Sequence, residues 1–97
     1  MITSKQRSSL RALAHGLTPV VIIGKEGLTD SVINAVRDSL HARELIKIRL
    51  LNTCDLPARE ILNNLCEMLN AEPVQCIGSI IVIYKKSNKA GIEHIEF

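Results

Sequence analysis

The stretch Pro19-Val20-Val21-Ile22-Ile23-Gly24-Lys25-Glu26-Gly27-Leu28-Thr29-Asp30 decides the fold. Its first five residues form a continuous, mostly β-branched apolar run bounded by proline and glycine. That pattern predicts a short strand buried on both faces, the usual state inside a parallel sheet. The last residues open a helix that runs to about Arg43. Thr29 is a good N-cap, Asp30 places a carboxylate in the positive first turn, and Leu28 with Ile33 has the spacing of a hydrophobic staple. Strand and helix are joined by Gly24-Lys25-Glu26-Gly27, a tight turn with a glycine at each end. Such glycines permit positive φ and carry no Cβ to obstruct a ligand. The first amides of a helix have no partner within it and point outward, which makes a receptor for phosphate oxygens, and Lys25 adds a point charge at the tip. The turn lacks both the Walker pattern G-x-x-x-x-G-K-[ST] and the dinucleotide pattern G-x-G-x-x-G.

Upstream, Leu10, Leu13, Ala14 and Leu17 follow helical spacing, predicting a first helix capped by Ser4, reaching about His15 and ended by Gly16. Downstream, Leu45 to Leu51 alternates Ile46, Ile48 and Leu50 with Lys47 and Arg49, a strand with one buried face and one basic, open face. A third helix is expected from about Leu56 to Asn70, with Asp55 as N-cap and Pro57 in the first turn. Its apolar stripe is Ile61, Leu62, Leu65, Cys66 and Leu69. Val74 to Ile77 and Ile80 to Lys85, joined at Gly78-Ser79, read as a hairpin. The tail after Lys86 carries a turn signal at Asn88 to Gly91 and the pattern of a short edge strand. The order α-β-α-β-α-β-β predicts an α/β (α+β) two-layer sandwich, with the second and third helices on one face of a mixed four-stranded sheet. The first helix lies outside those crossovers.

A chain of 97 residues has room for one core, so residues 1–97 are expected to form a single domain. Only Tyr84 and Phe97 are aromatic, so Leu, Ile, Val and Ala must fill that core. No segment approaches the roughly 18 apolar residues of a membrane span. The opening residues, with Lys5, Arg7 and Arg11, lack the apolar region of a secretory signal. A cytoplasmic, bacterial protein is expected, without membrane association or a small-molecule substrate. Cys54, Cys66 and Cys76 form no C-x-x-C pair, and with His15, His41 and His94 they show no metal-ligand spacing. Cys66 and Cys76 read as small buried hydrophobes. No nucleophile, base and acid are arranged for catalysis, and no cofactor is called for. His15 reads as a structural histidine, while His41 and His94 read as surface residues.

The formal charge is only +2 but unevenly spread: residues 1–49 hold eight Lys/Arg against four Asp/Glu, and residues 50–97 hold four against six. A one-sided basic surface is the electrostatic footprint of a nucleic-acid binder. With so few aromatics, stacking on bases is poorly served, which favours recognition of backbone and shape.

The G-x-x-G turn resembles the loop with which KH domains clamp a nucleic-acid backbone. The stretch from Leu10 to Lys47 resembles the CRM domain (chloroplast RNA splicing and ribosome maturation) in its stand-alone bacterial YhbY-like form. The matching elements are Leu13-Ala14-His15, Pro19-Val20-Val21, the G-K-x-G-L-T turn and Glu44-Leu45-Ile46-Lys47. Weaker likeness continues through Val74-Gln75-Cys76-Ile77-Gly78 and Val82-Ile83-Tyr84-Lys85. The resemblance implies a fold like the C-terminal domain of translation initiation factor three. It also implies RNA binding, with 23S rRNA or its precursor in the pre-50S particle as partner, and no enzymatic activity. The family often has Asn where this chain has Glu26. The carboxylate should therefore turn away while the backbone amides and Lys25 hold the phosphate. The expected contact set is Gly24, Lys25, Glu26 and Gly27, extended by Lys5, Arg7 and Arg11 if the first helix starts beside Gly24, and by Lys47, Arg49 and Lys85 along the sheet. The competing expectation is an adapter that docks on the ribosome or translation machinery through protein contacts alone.

Overall fold

The computed structural model describes residues 2–97. Seven elements occur in the expected order: α1 (Ser4–Ala14), β1 (Val21–Ile23), α2 (Asp30–Arg43), β2 (Leu45–Leu50), α3 (Ala58–Leu69), β3 (Glu72–Ile77) and β4 (Ile80–Tyr84). The four strands form one mixed sheet in the order β1-β2-β4-β3. β1 runs parallel to β2, and β4 runs antiparallel to both β2 and β3.

The main core lies between α2, α3 and one face of the sheet. Val21 and Ile23 of β1, Ile46, Ile48 and Leu50 of β2, and Ile81 and Ile83 of β4 all point into it. From the helices come Val36, Leu40, Ile61, Leu62, Leu65 and Leu69, with half-buried Cys66 and Cys76 packed at its margin. Period-2 and period-3.6 apolar patterns thus meet across one layer boundary. The reverse face carries a smaller cluster: Leu10 and Ala14 of α1 cover Leu45, Val74, Val82 and Tyr84. Ile95 and Phe97 of the tail join this cluster, and the Phe97 ring meets Tyr84 edge-on at 4.8 Å. So α1 and the tail close one end of the face that the Lys47/Arg49 alternation marked as open.

Several local expectations change. The α1 cap is Thr3, not Ser4: its side chain accepts from the Gln6 amide while the Gln6 side chain accepts from the Thr3 amide, a reciprocal capping box. α3 begins at Ala58, with Pro57 in the N-cap position rather than Asp55. The residue before a proline is pushed out of the helical region, so Leu56 cannot be the first helical residue. β1 lies at a sheet edge, and Ile22 is 56% exposed, so it is not buried on both faces. A β-branched run reports strand tendency, not the number of covered faces. The tail past Lys86 forms no strand and is fastened by side chains instead.

The fastening group is Glu44, which ends α2 at φ +68 and is fully buried. Its carboxylate accepts from the Ser87 amide at 2.6 Å, the Ile95 amide at 2.9 Å and His94 Nδ1 at 2.6 Å. Ser87, also buried, donates its hydroxyl to the His41 carbonyl at 2.6 Å. Burial pushes the Glu44 carboxyl upward, but the two amides and the His94 ring outweigh it and hold the group below its ordinary value.

Candidate nucleic-acid interface

The Gly24–Gly27 segment is a hydrogen-bonded turn: the Gly27 amide donates to the Gly24 carbonyl at 3.0 Å, and the Thr29 amide to the Gly27 carbonyl at 3.1 Å. Gly27 has φ +64, a conformation that side chains disfavour, so the turn itself requires this glycine. Gly24 is different. Its φ lies outside the left-handed region, and an added Cβ would meet Leu51 Cδ1 at 3.5 Å and Thr53 Oγ1 at 3.9 Å, ordinary contacts. The fold does not demand glycine there; a ligand approaching the bare backbone would.

Thr29 caps α2 by accepting from the Val32 amide at 3.2 Å, and Leu28 and Ile33 pack against the core on either side of the cap. The Lys25 and Glu26 amides make no hydrogen bond within the protein among the described residues. Both side chains are exposed, and Glu26 forms no ion pair with Lys25. Two free amides, the positive end of α2 and an unpaired ammonium therefore share one exposed tip.

Paired register positions share a sheet face. Ile22 pairs with Arg49, Arg49 with Ile80 and Ile80 with Ile77, so these four form one row on the reverse face, at the sheet end where β1 enters the turn. Ile77 is 64% exposed and Arg49 is also exposed. Arg49 further borders a cleft lined by Leu51, Asn52, Gly78 and Ser79, beside Gly24 through Leu51. Sequence patterning missed this cleft because its walls come from two loops about thirty residues apart, in this case the β2–α3 and β3–β4 connections. Lys47 lies one row further in, half-buried next to Val20, whose amide donates to the Lys47 carbonyl.

The other expected cations are elsewhere. α1 does not start beside Gly24. The Ile2 amide donates to Glu72 Oε1 at 2.8 Å, Arg7 Nε to the Pro73 carbonyl at 2.9 Å and Arg11 Nε to the Val74 carbonyl at 3.1 Å. These partners lie on β3, the opposite edge strand, and Glu72 is level with Tyr84 and Leu45, whereas Gly24 follows Ile23, level with Leu50. α1 goes there because Leu10 and Ala14 bury against Val74, Val82 and Tyr84. Lys5, Arg7 and Arg11 therefore do not extend the turn. Lys85 Nζ donates to the Leu69 carbonyl at 2.8 Å and caps the end of α3. His15 caps α1 through its backbone amide and leaves its ring exposed without a hydrogen bond among the described residues, so it is not a structural hydrogen-bonding group. His94 is only half exposed and holds Glu44. Among the described residues, no Lys or Arg lies within ion-pair distance of a carboxylate, and no three His, Cys, Asp or Glu side chains are grouped to hold a metal ion. No helix among them is long and apolar enough to cross a membrane.

The family model of the CRS1/YhbY (CRM) domain matches residues 2–85. The chain is 39% identical over 92% of its length to a Bacillus subtilis protein named "Probable RNA-binding protein YqeI", covering 93% of that protein. It is 36% identical over 95% of its length to a Haemophilus influenzae protein named "RNA-binding protein", covering 93% of it. The solution structure of SAV1595 from Staphylococcus aureus superposes with a TM-score of 0.79 at 41% identity, covering 93% of this chain and 94% of that one.

Proposed function

Because the chain belongs to the CRS1/YhbY (CRM) domain family, we propose that it binds RNA, gripping the backbone with the Gly24-Lys25-Glu26-Gly27 turn and acting in assembly of the large ribosomal subunit. The observation that carries this reading is the bare backbone at Gly24, a glycine that neither φ nor packing requires, next to two unpartnered amides and Lys25. A phosphate oxygen accepts from the Lys25 and Glu26 amides, Lys25 Nζ neutralises it, and the Glu26 carboxylate stays in solvent. Arg49, at the same end of the sheet, extends the positive field along the strand, with Lys47 behind it. Contacts of this kind give affinity without reading bases, so the shape of a folded RNA supplies the selectivity. Precursor 23S rRNA in the pre-50S particle is the partner that the family resemblance favours.

The test is ultraviolet crosslinking in cells followed by mapping of the crosslinked nucleotides, with Lys25→Ala alongside. Crosslinks concentrated on 23S precursor sequences and reduced in the variant are expected. A crosslink pattern identical in the folded variant would overturn the role of the turn, and absence of RNA crosslinks would overturn the function. The exposed isoleucines of the Ile22–Ile77 row support a second reading, docking on a ribosomal protein. Its signature is ribosome association that survives high salt and Lys25→Ala but fails when Ile22 and Ile77 are made polar.

A further inference from the structure

The edge of β3 carries a second group of cations, on the far side of the sheet from the turn. Arg7 and Arg11 stand one helical turn apart on α1, and Arg59 approaches from α3 on the other sheet face. All three line one cleft over Pro73, Gln75 and Cys76. Arg7 and Arg11 spend only Nε on the Pro73 and Val74 carbonyls. Those bonds orient both guanidinium groups and leave their Nη atoms without a hydrogen bond among the described residues. Arg59 is exposed and makes neither hydrogen bond nor ion pair among the described residues. Pre-oriented, unpaired guanidinium forks match phosphate oxygens better than a mobile ammonium does.

We infer that Arg7, Arg11 and Arg59 form a second phosphate site at the β3 edge, so that one folded RNA is held at two separate segments of its backbone. This rests on the RNA-binding reading above. Three inter-strand spacings separate β1 from β3, about 14 Å, and the offset along the strands adds about 17 Å, so the sites lie on the order of 20 Å apart. A separation of that size suits backbone segments across a groove of a helix or junction, which a folded RNA holds at a fixed distance. The full contact therefore favours structured RNA.

The probe is an RNA duplex of roughly 20 bp, longer than the roughly 16 bp that a double-stranded-RNA-binding domain spans. Its affinity is measured against salt for the native protein, Arg59→Gln, Lys25→Ala and the double variant. Arg59 supports no other group, so its loss leaves the fold intact. Each single variant is expected to lower affinity about three- to tenfold and the salt slope by about one. The double variant should show the product, because the sites are too far apart to couple. Unchanged affinity and slope for Arg59→Gln, with Lys25→Ala weakened, overturns the second site and leaves the RNA reading standing. A double variant no weaker than the worse single one overturns simultaneous contact. If the native protein does not bind the duplex, the two-site contact falls, while the RNA-binding reading itself stands or falls with the crosslinks in cells.

Discussion

Glu44 Oε2 lies 2.6 Å from His94 Nδ1, fifty residues away in the chain, and the same carboxylate accepts from the Ser87 and Ile95 amides, so one buried side chain holds both ends of the tail. Replacing Glu44 by Ala would strand the Ser87 amide in a buried site and release the tail from the Leu10–Tyr84 cluster. We expect a loss of about 2–4 kcal/mol, measured by urea denaturation. Limited proteolysis should then cut within residues 88–97 while the sheet stays intact. A variant as stable as the native protein, with a protected tail, would show that the apolar contacts of Ile95 and Phe97 suffice alone.

The same carboxylate sets an acid limit. Its folded value lies below the ordinary 4.5 because the two amides and His94 outweigh the cost of burial. A depressed carboxyl contributes stability that is fully present above the unfolded value and disappears as pH falls through the folded one. Denaturant midpoints should therefore decline below about pH 4.5, and Glu44→Gln, which has no carboxyl to protonate there, should decline less steeply over the same range. Parallel pH curves for the two proteins would remove Glu44 from the account.

The two glycines of the turn should separate folding from binding. Gly27→Ala places a side chain at φ +64 and should cost about 1 kcal/mol. Gly24→Ala adds a Cβ at ordinary contact distance, so stability should change by less than about 0.5 kcal/mol. RNA affinity should nevertheless fall at least severalfold, because the methyl group stands where the backbone must be approached. A Gly24→Ala protein that binds RNA as well as the native one would leave that glycine without a functional reason.

Which elements were legible follows from how local their causes are. α2 matches its expected limits because its cap, first-turn acid and apolar period all lie within fifteen residues of one another. The hairpin at Gly78-Ser79 has a similarly local signal in Gly78, at φ +56. Edge position, by contrast, is a property of strand order, and nothing in PVVII encodes that β4 inserts between β2 and β3. The placement of Arg7 and Arg11 failed for the same reason: α1 chooses its site by burying Leu10 and Ala14 on β3 and β4, a contact more than sixty residues distant. Glu44 was visible only as part of a family-like tetrapeptide. Its partners are Ser87, His94 and Ile95, in a tail that carries no periodicity to read.

Cys66 should be chemically silent. Burial, reinforced by the Glu72 charge, pushes its thiol up to about 11, so little thiolate exists near neutrality. Iodoacetamide at pH 8 should leave it unmodified in the folded protein and alkylate it once urea unfolds the chain, as read by mass spectrometry of tryptic peptides. Labelling at equal rates in both states would mean that α3 opens far more readily than its packing of Ile61, Leu62 and Leu65 implies.

Lys85 is expected to serve stability rather than RNA contact. Its ammonium donates to the Leu69 carbonyl, one of the last carbonyls of α3, where Asn70 turns the chain at φ +56. A cation at that negative helix end is favourable, and the hydrogen bond satisfies an acceptor the helix itself cannot. Lys85→Met keeps much of the stem and removes the donor, so it should lower stability by about 1 kcal/mol. Since the remaining candidate contacts lie at the other end of the sheet or along the outer edge of β3, duplex affinity and its salt slope should stay as in the native protein. A fall in the salt slope by about one with stability unchanged would reverse this assignment and return Lys85 to the interface.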